Sequence, residues 1–105
     1  MQTMRKTEKS DPLITAIDPN KLELLRKRLL LSKSGMASIF GVSRVTYHGW
    51  LDGRDMRKSN YDYVKSTLRR LVALIKDSDW PDEGVKAMTY QQRRAELDRL
   101  LEQYD

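Results

Sequence analysis

Cysteine is absent from this 105-residue chain, and histidine occurs once. Without thiols there is no disulfide framework and no thiolate chemistry. One imidazole is too few for the usual zinc ligand sets. No Ser or Cys nucleophile motif accompanies His48, and neither a His-Glu-x-x-His run nor a phosphate-cradling glycine loop is present. The expectation is therefore no catalytic residue, no metal, no cofactor and no enzyme. Long apolar runs are missing as well. Runs such as residues 29–31 and 72–75 fall far short of the roughly 20 residues that span a bilayer. The basic stretch 1–9 is followed by no apolar segment, so it does not read as a signal peptide. A cytoplasmic location is the default expectation.

Charge is plentiful and unevenly placed. Lys and Arg number 20 against 15 Asp and Glu, a net +5. Residues 1–76 hold 16 basic and 7 acidic side chains, a balance of +9, whereas residues 77–105 hold 4 and 8, a balance of −4. A positive field of the first kind favours a polyanion through counterion release. Charge alone is equally compatible with a basic surface that binds nothing.

The stretch 31–53 organises the chain and reads as two short helices meeting at a corner. Ser32 is suited to cap the first, because its hydroxyl can accept from orphan backbone N–H groups. Met36, Ala37 and Phe40 follow at helical spacing on one face. Gly41 then permits a left-handed stop without a Cβ penalty, and Val42 plugs the corner. Ser43 caps again, and Tyr47, Trp50 and Leu51 give the second helix its buried face. Arg44, Val45, His48 and Gly49 lie on the opposite face. The result is a short rod held outward on a compact base, which is what reading a DNA major groove requires.

Across these 23 residues the chain resembles, without a gap, the helix-turn-helix of the lambda repressor and Cro-like family. The matching residues are Leu31 and Ser32, then Met36 and Ala37, Gly41-Val42-Ser43 at the turn, and Tyr47 and Trp50 after it. The chain departs from the family pattern at Lys33, where Gln is frequent, at Gly35, and at Gly49, where a long polar side chain is usual. The resemblance implies that helix 43–51 enters the major groove, with Arg44, Val45, His48 and Gly49 facing the bases. Arg44 is placed to bond bidentately to guanine O6 and N7, or else to a phosphate alone. Val45 suits a thymine methyl. His48 suits a base edge or a phosphate, or is a surface residue without a role. Gly49 marks either a close approach of backbone to DNA or simply less sequence reading. In the family the segment after this helix follows the sugar-phosphate backbone, which makes Arg54, Arg57 and Lys58 the phosphate contacts, with Lys33, Ser43 and Thr46 beside them.

The remaining chain frames an all-α fold: a compact four- to five-helix domain with a short C-terminal helix. Residues 1–17 read as a basic arm whose Arg5, Lys6 and Lys9 either reach DNA or simply fray, while Leu13, Ile14 and Ile17 cover an edge of the domain. The domain proper spans 18–77. Asp18-Pro19 opens its first helix, with Leu22, Leu25 and Leu29 facing the core and Arg26, Lys27 and Arg28 on the wet side. Residues 59–62 read as a capping box starting a long helix whose stripe is Tyr61, Val64, Leu68, Leu71, Val72 and Ile75. An acidic linker follows, in which Trp80 precedes Pro81 and is expected to be extended, its indole docking back on the domain. Thr89 and Gln92 form a second capping box, opening a helix to about residue 104 with Leu97, Leu100, Leu101 and Tyr104 along its edge. That edge lacks an obvious partner within the chain and is expected to join two copies.

These expectations converge on a sequence-specific regulator, a repressor of phage or bacterial type, binding a palindromic double-stranded operator as a homodimer. The competing expectation is a protein-interaction module on the same scaffold, an anti-repressor or an inhibitor of transcription machinery, with a protein partner at the acidic C-terminal segment.

Overall fold

In the computed structural model, which describes residues 12–14 and 17–104, most helix ends are set by local residues. Helix α1, Pro19–Leu29, begins with the Asp18 carboxylate accepting from the Asn20 N–H. It ends at Leu30 in the left-handed region (φ 61°), whose N–H bonds back to Arg26 and Lys27 carbonyls. A non-glycine residue there costs roughly 1–2 kcal/mol, and burial of Leu29 and Leu31 on either side offsets it. Helix α2, Lys33–Ile39, is capped by the Ser32 hydroxyl, which accepts from the Gly35 N–H. Gly41 turns the chain at φ +72°, and Val42 donates its N–H back to the Ala37 carbonyl at 3.0 Å. Helix α3, Arg44–Leu51, starts with the Ser43 hydroxyl accepting from the Thr46 N–H.

Beyond α3 the chain makes contacts that its residue pattern does not announce. Strand β2, Met56–Arg57, pairs antiparallel with strand β1, Leu13–Ile14, through Leu13 opposite Arg57 and Ile14 opposite Met56. Met56 is buried and Leu13 is 65% exposed. Leu13 therefore does not cover an edge as expected, whereas Ile17, expected to do so with it, packs on the core. The arm's Arg5, Lys6 and Lys9 lie outside the described residues. Helix α4, Lys58–Ser78, follows β2 directly, with no side-chain bond at its N-cap Arg57, so the capping box expected at residues 59–62 does not open it. Val64, Thr67, Leu71 and Leu74 are its buried residues. Val72, assigned to the same stripe from sequence, is 54% exposed.

The C-terminal third belongs to the core. Trp80 is buried, its indole N–H reaching the Leu29 carbonyl, while its own carbonyl accepts from Arg28 Nε at 3.0 Å. Its peptide bond to Pro81 is cis. After one turn of helix (α5, Glu83–Lys86), α6, Tyr90–Leu101, opens with the expected Thr89–Gln92 capping box. Leu97 is 0% exposed and Leu101 is buried beside it, with Leu100 and Tyr104 packed partly against the same cluster. The edge assigned to dimerisation thus has its partner within the chain. Arg70 of α4 donates to the Leu101 and Tyr104 carbonyls at 3.0 Å, and Tyr104 Oη donates to Asp77 Oδ2 at 2.8 Å. At the other end of α6, Tyr90 Oη accepts from the Ser32 N–H at 3.2 Å, over Gly35. A Cβ on Gly35 would meet that hydroxyl, which explains glycine at this point of α2.

The architecture is all-α, six helices among the described residues with one two-residue strand pair. No helix among the described residues is long and apolar enough to cross a membrane.

Candidate nucleic-acid interface

Two faces of α3 behave differently, and the inner one fixes the direction of the outer. Tyr47 and Trp50 are buried against Phe40 of the preceding turn, with ring centroids 6.3–6.4 Å apart among all three. Tyr47 Oη donates to Glu23 Oε2 of α1 at 2.9 Å. Arg26 grips the same carboxylate through Nε and Nη2 at 2.9 and 2.8 Å, and donates Nη1 to the Leu31 carbonyl at 2.9 Å. These bonds tie α1, the start of α2 and α3 into one unit. The Arg26 hydrogen bond, outweighing desolvation and helped by the bond from Tyr47, holds the Glu23 carboxyl below its usual range. Burial, and next the bond to Glu23, pushes the Tyr47 phenol upward, so it stays a donor. Two of the three arginine and lysine residues assigned to the wet side of α1, Arg26 and Arg28, are in fact structural ties.

The outer face carries Arg44, Val45 and His48 around a shallow recess of about 340 Å³, which Gly49, Asp52 and Arg54 complete. Val45 is 74% exposed on this surface. Arg44 Nε donates to His48 Nε2 at 3.3 Å, one helical turn on. Both side chains are thereby held along the helix rather than splayed into solvent. No acidic side chain lies on α3 itself. Asp52, at its C-cap, brings one carboxylate to the rim. Sequence reasoning missed Asp52; its position one turn after His48 was the available signal.

Gly49 lies on the outer face with Val45 and His48, as expected, but it is covered rather than open. It is buried, and a Cβ placed there would lie 3.1 Å from Arg54 Cδ and 3.5 Å from Arg54 Nη1. The Arg54 side chain crosses the helix at that point, and the Arg54 N–H bonds to the Gly49 carbonyl at 2.9 Å. Arg54 therefore borders the recess of Arg44, Val45 and His48, apart from the basic residues with which it was grouped.

Those residues are placed as follows. Arg57 is exposed on β2. Lys58 pairs with Asp62 at 2.8 Å. Lys33 is half-buried at the first position of α2. Ser43 Oγ donates to Thr46 Oγ1 at 3.0 Å while accepting from the Thr46 N–H at 3.1 Å, so both hydroxyls serve the cap of α3.

Chemically the face offers forked cationic donors (Arg44 and Arg54), an imidazole, one apolar knob and one carboxylate acceptor. Among the described residues no group of His, Asp or Glu is arranged to hold a metal ion. The chain matches no family model, no curated protein and no solved structure.

Proposed function

We propose that the protein is a sequence-specific DNA-binding transcriptional regulator, a repressor of phage or bacterial type acting in the cytoplasm, that lays α3 in the major groove. The observation that carries this reading is the division of α3 into two faces. Tyr47 and Trp50 anchor the helix in the core, so Arg44, Val45 and His48 stand outward on an acid-free helix. An α-helix fits the major groove, and these residue types match its chemistry: arginine for guanine O6 and N7, an apolar group for the thymine methyl. Arg57, Lys58 and Lys33 supply sequence-independent phosphate contacts that set register. The surrounding charge acts in the same direction, since residues 1–76 carry a balance of +9.

One copy presents few side chains to the bases, so a full operator takes two copies on a palindrome. Their recognition helices would sit about 34–36 Å apart, one duplex turn. The α6 edge is spent inside the chain, and the two-fold contact lies on another surface or forms on DNA.

The test is titration into mixed-sequence duplex DNA over a range of salt concentrations, followed by selection of bound sequences from a random pool. A regulator binds with a steep negative salt slope and returns a consensus with two-fold symmetry. Absence of duplex binding at low salt would turn the assignment to a protein-interaction module.

A further inference from the structure

Gly49 leaves the recognition helix without a side chain at the one position that completes the surface of Arg44, Val45 and His48. Residues 45, 48 and 49 are neighbours on one helical face. The Arg54 side chain fills the vacancy. Its Cδ, Nη1 and Nε lie 3.1, 3.5 and 3.8 Å from where a Gly49 Cβ would be. Arg54 borders both recesses on this side of α3, one with Arg44 and His48, the other with Thr46 and Trp50. The path is fixed from the backbone: the Arg54 N–H bonds to the Gly49 carbonyl, after Gly53 turns the chain at φ +91°. Among the described residues the nearest acids, Asp52 and Asp55, form no ion pair with it.

We propose that Arg54 is a base-reading residue, supplying from the following loop the side chain that Gly49 withholds. Its target is the major-groove edge of guanine, beside the base read by Arg44. A guanidinium matches the O6 and N7 acceptor pair in a plane, which a lysine ammonium does not. Glycine at 49 is then a requirement of specificity: any side chain there displaces Arg54 from the reading surface. Loss of helical propensity at Gly49 is the accompanying stability cost. This inference rests on the DNA-binding reading of α3.

Gly49→Ala makes the test clean. The three atoms nearest the added Cβ all belong to the flexible Arg54 chain, so the fold is kept and its melting temperature is unchanged or raised, while Arg54 must give way from its path over the helix. Binding is measured on a duplex recovered from a random pool by the wild-type protein, and on a scrambled duplex of equal length. Arg54→Ala and Gly49→Ala should each weaken the recovered duplex about tenfold or more, leave the scrambled one far less affected, and relax preference at the same base pair. Arg54→Lys should relax that preference too while keeping the salt slope. An equal loss on both duplexes for Arg54→Ala, with a slope lower by about 0.9, makes Arg54 a phosphate contact and overturns the proposal. So does a Gly49→Ala protein whose preference is unchanged. Failure of the wild-type protein to bind any duplex defeats the DNA reading itself, and this proposal with it.

Discussion

Leu97→Ala probes whether α6 belongs to the chain's own core. Leu97 is fully buried, clustered with Leu101, Leu71 and Leu74 in one hydrophobic core. Truncating such a leucine removes its transfer energy and leaves a cavity, together about 2–5 kcal/mol. A domain of this size has a total stability of about 5–15 kcal/mol, so a sizeable share of it is at stake. With a urea m-value of about 1–2 kcal/mol per molar, the midpoint should fall by about 1–5 M. Trp50 and Trp80 are both buried and report the transition by fluorescence. Val72→Ala on the same scaffold is the control. Val72 is exposed, and its loss should change stability by no more than about 0.5 kcal/mol. The loss at Leu97→Ala should be the same at every protein concentration. A Leu97→Ala midpoint equal to wild type, or a loss that grows with concentration, refutes the intramolecular docking of α6.

Further outcomes follow from the site. Because the folded-state pKa of Glu23 is depressed from its ordinary 4.5, its bonds to Arg26 and Tyr47 stabilise the fold above that pH and are lost as acid protonates it. Chemical denaturation between pH 3 and 7 should therefore show a shallower acid decline for Glu23→Gln than for wild type, though not a flat one. Glu96, held low by Arg99, contributes in the same sense. Arg44→Ala should cost about 1–3 kcal/mol on the selected operator and broaden one base position in each half-site; an equal loss on random DNA would make Arg44 a phosphate contact. Arg57→Gln with Lys58→Gln should weaken all duplexes alike and lower the salt slope by about 0.9 for each contact removed, and an unchanged slope would place the phosphate surface elsewhere.

What could be read from the sequence was what short-range chemistry decides. Ser32, Ser43, Gly41 and the Thr89–Gln92 pair each act within four residues, and each does locally what its type dictates. The inner face of α3 was legible for the same reason, since Tyr47 and Trp50 fall three residues apart. Legibility failed where the partner is distant in sequence. The docking of Trp80 was legible but not its acceptor, the carbonyl of Leu29 51 residues earlier, and Leu97 meets a core assembled from α1 to α4. An amphipathic edge looks the same whether its partner is its own domain or a second copy. In α4 the apolar band is wider than the face it buries, so Val72 and Leu74 were exchangeable by pattern and only packing separates them. Two-residue strands carry no periodicity to detect. The face of Gly49 was legible, but not the Arg54 side chain that covers it from across the end of the helix, because helical spacing does not extend through a turn.

The central claim is that the outward face of α3 meets duplex DNA, and backbone amide shifts measure it directly. A ¹⁵N-labelled sample titrated with the selected duplex should show its largest perturbations at residues 43–54, smaller ones near Lys33 and Arg57, and little change along the exposed side of α4 at Lys65, Arg69 and Val72. Perturbations centred on that side of α4, with α3 silent at saturation, would contradict it.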